Sequence, residues 1–218
     1  MPQLVLDPGD QTTVGFWKPQ GPIPPVLRRV GRFPNTDDWL PGDLVLMSKI
    51  QPDLNQRAII GAQERGGFEP LDARWQHAAV YLGENGLCEA AGSGVRVSSL
   101  ITEYVGSHLL RVRRPDLDVH ERYRLCMKSL TRTPEPYDWL GAFVLLLQSV
   151  SGFWRQGPRS VLPPHSGPVI CSELYAWSYL QVASRLLVKP DPGRPLTPAD
   201  LSMSTELEDV PVCWRQIV

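Results

Sequence analysis

Apolar positions along this chain fall into short continuous runs in its first half and into longer helical periodicities in its second. Leu-Val-Leu-Met at 44–47, entered through Asp43 after the Pro-Gly turn at 41–42, predicts a strand over 43–47. Ala78 to Leu82 predicts a buried strand, and Glu-Asn-Gly at 84–86 predicts a hairpin turn that returns the chain through Leu87 to Ala90. Gly94 to Val97 and His108 to Arg113 read as further short strands. Helical patterns cover 117–131 and 137–150. A third begins at Cys171, where Leu174, Trp177, Leu180, Ala183 and Leu187 recur at the spacing of one helix face. A short strand near Val210–Trp214 follows. The expected class is α+β: a small, mostly antiparallel sheet with helices packed against it.

Prolines interrupt this pattern in three places: residues 18–41, around 158–168 and around 190–198. With 22 prolines in 218 residues, these stretches read as ordered connections rather than helices. The first defines a Pro-rich N-terminal arm over 1–38, with the main domain over 39–218. Residues 50–74 hold few periodic apolar positions and contain Glu-Arg-Gly-Gly, which predicts a long loop or insertion.

Composition narrows the function classes. A net charge of −1 with no long basic block gives no footprint for nucleic acid. Four widely spaced cysteines form no metal-binding pair spacing and are too few for a disulfide scaffold, which fits a reducing compartment. The start, Met-Pro-Gln-Leu-Val-Leu-Asp, lacks a basic leader and does not read as a signal peptide. The longest apolar run, Trp139 to Leu147, is far short of a membrane span. A cytoplasmic site of synthesis is expected, with signal-independent export left open. No cofactor or metal is expected.

Three residues carry candidate chemistry. Cys171 stands where Val169-Ile170 turns into a helix, and the unpaired amides of a helix start favour thiolate over thiol. The competing reading is a buried structural cysteine, the commonest fate of a free one. His77 opens the Ala-Ala-Val-Tyr-Leu strand, and Glu89 lies in the returning strand of the same hairpin. A glutamate in an apolar strand needs a partner to be buried, which makes it the more telling of the two. A carboxylate can orient an imidazole, and the imidazole can pair with a thiolate. Cys88, which should point away from Glu89, reads as core, and Cys126 and Cys213 as structural. Asp43 and Glu173 read as turn and helix-start residues.

Pro-Gly-Asp-Leu-Val-Leu (41–46), His-Ala-Ala-Val-Tyr-Leu-Gly (77–83), Glu-Ala (89–90), Tyr137-Asp138, Ile-Cys-Ser-Glu-Leu (170–174) and Leu-Thr-Pro-Ala-Asp-Leu (196–201) follow one another along the chain. In this order they resemble the circularly permuted papain-fold hydrolases of the NlpC superfamily, nearest the YiiX/YebB-like branch. The resemblance runs from about residue 39 to the end. It implies a permuted papain-like fold, in which the histidine hairpin precedes the cysteine helix. It also implies a catalytic set of Cys171 as nucleophile, His77 as general base and acid, and Glu89 as the orienting residue. Lecithin-retinol-acyltransferase-like enzymes share that order but usually carry a second histidine in the third position, so Glu89 leans toward the YiiX-like branch. Tyr137 enters as a speculative contributor to the oxyanion or substrate site, against the simpler reading of a packed aromatic.

The leading expectation is a thiol amidase or peptidase acting on a peptide, isopeptide or cell-wall-type amide. The alternatives are a lipid acyltransferase or thioesterase and a non-catalytic binding module on the same fold. An effector role would add a small immunity-type protein partner. Amide chemistry predicts that the 140–147 helix is packed inside and that the cleft over Cys171 is short and polar-rimmed.

Overall fold

A computed structural model describes residues 13–137, 169–189 and 196–218. Its centre is a six-stranded sheet in which every pairing is antiparallel. The strands are β3 (Leu44–Lys49), β4 (His77–Gly83), β5 (Gly86–Ala91), β6 (Gly94–Ser99), β7 (His108–Pro115) and β8 (Leu207–Val210), in the spatial order β6-β5-β4-β3-β7-β8.

Both faces of this sheet are buried, which is why its central strands read as unbroken apolar runs. Leu44, Leu46, Ala78, Val80, Cys88 and Ala90 pack on one side with residues of two long helices. These are α4 (Val119–Thr131) and α5 (Cys171–Ala183), which supply Leu125, Leu174, Tyr175 and Tyr179. Val45, Met47, Ala79, Tyr81 and Leu87 form the other side with Leu27, Trp39 and Trp214. The expected single apolar face of the cysteine helix is too narrow. Nine of its thirteen residues are buried, and Leu180 is only half-buried.

The β4–β5 hairpin turns as expected. Glu84 and Asn85 adopt φ of 48° and 62°, the left-handed values that a two-residue turn matched to strand twist requires. The turn pairs Gly83 with Gly86, and a one-residue irregularity between Tyr81 and Gly83 then sets Ala79 opposite Glu89 and Val80 opposite Cys88.

Three expectations need correction. Residues 50–74 are not a long loop, because they hold α2 (Leu54–Arg65) and α3 (Pro70–Ala73). The Asp53 carboxylate and the Gln56 side chain cap α2 reciprocally. Only Ala62 and Gln63 of α2 are buried, so little apolar periodicity marks it. The N-terminal arm also contains regular structure: β1 (Thr13–Trp17), α1 (Pro25–Val30) and β2 (Arg32–Asn35). Pro25 occupies the first turn of α1, where no amide is needed, and Pro34 lies in an edge strand. The C-terminal strand is two strands in two sheets, β8 and β9 (Cys213–Ile217). β9 pairs parallel with β1 and antiparallel with β2 to form a second, three-stranded sheet.

The helix expected over 137–150 and its packing lie outside the described residues. The closing 196–201 segment forms α6 (Pro198–Met203), capped by Thr197 and Asp200. Buried Gln63 ties these parts to the start of β4. Its amide donates to the carbonyls of Ala73 (2.6 Å) and Trp75 (2.8 Å), and its oxygen accepts from the Ala199 amide (2.9 Å). Among the described residues, no helix is long and apolar enough to cross a membrane.

Candidate functional site

The register explains how His77 and Glu89 meet. His77 lies two residues before Ala79, the partner of Glu89, so the two side chains are diagonal neighbours on one face. That spacing is short enough for a glutamate to cross, and it depends on the extra residue that β4 carries between Tyr81 and Gly83: without it Glu89 would fall opposite Val80 and face away from His77. His77 Nε2 sits 2.8 Å from Glu89 Oε2. Cys88 points to the opposite face and is buried in the core there.

Cys171 is the first residue of α5 and is 6% exposed. Its neighbour Glu173 accepts from the Ile170 amide at 3.3 Å, a helix-start role as expected. Cys171 lies close enough to His77 to raise the imidazole's pKa. Cys171, His77 and Glu89, chosen from the sequence, are therefore in one connected cluster.

Its electrostatics follow from the partners. Burial alone would lower the pKa of His77, but the charge and hydrogen bond of Cys171, followed by those of Glu89, raise it to about 10. Glu89 is fully buried. Burial would raise its pKa, yet the hydrogen bond and charge of His77 and the hydroxyl of Tyr104 bring it down to about 2. The other two cysteines described as fully core are held as thiols: burial raises Cys88, and raises Cys126 to about 11.

Three further residues complete the cluster and were not anticipated. Arg96 stands directly opposite Glu89 on β6, and its Nε and Nη2 reach Oε1 at 3.1 and 2.8 Å. Its Nη2 also bonds Glu103. Counting back from the β5–β6 turn would have paired 89 with 96. Tyr104 ends a π-helical turn, Leu100–Tyr104, and donates its hydroxyl to Glu89 Oε2. No sequence signal marks that turn. His108 opens β7, across β3 from His77, and burial followed by the charge of His77 lowers its pKa to about 4. Finding it would have required knowing that β3 lies between β4 and β7.

A cavity of about 320 Å³ opens at this cluster, lined in part by His77, Tyr104, His108 and Tyr137 together with Gln56 and Ile59 of α2. Tyr137 thus faces the same cavity as His77, and its backbone forms a parallel bridge with Val169, two residues before the thiol. Among the described residues, no group of three or more His, Cys, Asp or Glu side chains could hold a metal ion.

A six-stranded antiparallel sheet with a cysteine helix on one face defines an α+β fold of YiiX-like type. Among solved structures, the chain is similar to the metalloprotein YiiX from Escherichia coli O157:H7. It superposes with a TM-score of 0.54 at 16% identity over 78% of this chain and 96% of that one. No family model and no curated protein matches the chain.

Proposed function

We propose that the chain is a cysteine hydrolase of the permuted papain-like, NlpC-superfamily type that cleaves an amide or peptide bond through an acyl-enzyme. The observation that carries this reading is the position of His77, which is bonded to a buried carboxylate and electrostatically coupled to a cysteine at a helix start. A structural cysteine has no need of that arrangement, and a buried glutamate can be satisfied more simply.

In the first step the Cys171 thiol proton passes to His77 as the sulfur attacks the substrate carbonyl carbon. The carbonyl electrons move onto oxygen, and the Cys171 backbone amide at the helix start donates a hydrogen bond to that oxyanion. His77 then donates its proton to the departing amine as the carbon–nitrogen bond breaks, leaving a thioester on Cys171. Next, His77 takes a proton from water, the hydroxide attacks the thioester, and the acid leaves as the thiol and imidazole are restored. Glu89 stays ionised throughout and holds the ring. The cavity's mix of Gln56, Gln76 and His108 with Ile59 and Met47 suits a polar amide better than a long acyl chain.

A panel of fluorogenic peptide, isopeptide and muropeptide-type amides, run beside lipid esters, tests the proposal. Turnover of an amide that disappears in Cys171→Ala and His77→Ala is the expected result. Cys171-dependent release of fatty acid with no amide cleavage would overturn it in favour of a lipid enzyme.

A further inference from the structure

Glu89 receives donors from three separate elements, and they are not equivalent. Arg96 holds Oε1 from the neighbouring strand and is itself shared with Glu103 at a 40% exposed side chain. Oε2, the oxygen that His77 uses, is also bonded by the Tyr104 hydroxyl. The Tyr104 ring also lies nearly parallel to that of His77, with centroids 6.2 Å apart and planes 18° from each other. His108 closes on Tyr104 from the other direction, edge to face at 5.0 Å. Its Nδ1 is fixed by the Ser107 hydroxyl at 2.8 Å, and Ser107 bonds back to the Tyr104 carbonyl. The π-helical turn, closed by the Val105 amide on the Leu100 carbonyl at 3.2 Å, delivers Tyr104 to this place.

We propose that Tyr104 is a positioning residue of the thiol site, one that keeps the Glu89 carboxylate turned toward His77. The role rests on the hydrolase reading for its catalytic consequence, but not for its effect on His77. Burial and the charge of Glu89 raise the pKa of Tyr104, so the phenol is a standing donor and not a proton carrier. Without its hydroxyl, the strongest remaining anchor on Glu89 is Arg96 on Oε1. The carboxylate is then free to rotate toward the arginine, and His77 loses the partner that orients its ring.

The experiment is an NMR titration of the His77 ring in the full chain, wild type against Tyr104→Phe, which keeps the ring and removes only the hydroxyl. The expected shift is a fall of about one pH unit in the His77 pKa, the size of one charge-assisted hydrogen bond. Amide turnover should fall about ten-fold in kcat with KM little changed. In a Glu89→Gln background the same substitution should shift His77 no further, because the effect travels through the carboxylate. An unchanged His77 pKa, or a rise, overturns the inference, as does an equal shift in the Glu89→Gln background. If that double variant does not fold, the sign of the single shift decides. A His77 shift of the expected sign in a chain that turns over no carbonyl substrate supports the positioning role and counts against the hydrolase reading. Cys171-dependent turnover with an indifferent Tyr104→Phe counts against the positioning role alone.

Discussion

Two carboxylates, Asp43 and Glu89, are wholly buried in the central sheet, and each is paired with arginine. Asp43 stands just before β3 and accepts from Arg114 at 2.8 and 3.0 Å, from Arg122 at 3.0 Å and from the Leu40 amide at 2.9 Å. Its salt-bridge partners are permanent cations from β7 and α4, so the cluster locks three elements together and has no proton to exchange. Glu89 exchanges one of those fixed partners for an imidazole, which in turn is electrostatically coupled to Cys171 and opens on a cavity. Burial of a carboxylate therefore does not distinguish a clamp from a candidate reaction site. A titratable partner with access to substrate does.

The contrast can be broken most severely at Glu89. Glu89→Gln keeps the shape and removes the charge, and we expect amide turnover to fall about 10²- to 10⁴-fold. Steady-state kinetics on the best amide would check this, and a loss under three-fold would make Glu89 another clamp.

Asp43→Ala should do the opposite. Removing one partner of a buried ion cluster leaves Arg114 and Arg122 uncompensated, at about 3–5 kcal/mol of stability in urea denaturation. The folded fraction should still alkylate at Cys171 at the wild-type rate.

A smaller effect sharpens the comparison through pH. A histidine raised from 6.5 to about 10 stabilises the fold fully below 6.5 and loses that contribution as pH rises through 10. A glutamate lowered from 4.5 to about 2 contributes fully above 4.5 and loses it as pH falls toward 2. Both contributions are complete only between pH 4.5 and 6.5. The difference in thermal midpoint between wild type and His77→Ala should be largest in that window and shrink on either side. For Asp43→Ala, by contrast, no decline is expected between pH 6.5 and 10, because arginine stays charged there.

How much of this was legible in the sequence divides along the same line. The hairpin was readable because Glu84-Asn85-Gly86 is local turn chemistry, and the cysteine helix because a Val-Ile run meets a helical pattern. Their convergence on one site rested on family order rather than on residue patterns. Arg96 needed only a register count, whereas Tyr104 depends on a π-helical turn that leaves no periodic trace. The small sheet was missed because β1 and β2 acquire their partner from β9 at the far end of the chain. α2 was missed because its stability comes from the Asp53–Gln56 cap and the Gln63 hub rather than from an apolar face.

The central claim is that His77 makes Cys171 a nucleophile despite its burial. Exposure and chemistry rank the four cysteines differently: Cys213 is the half-buried one, while Cys171, Cys88 and Cys126 are buried. Site-resolved iodoacetamide labelling, followed by peptide mass spectrometry on native wild type and His77→Ala, separates the two orders. The account predicts that Cys171 is modified first in wild type, ahead of Cys213, and that His77→Ala reverses that order. Labelling that follows exposure, with Cys213 first and Cys171 indifferent to His77, would contradict it.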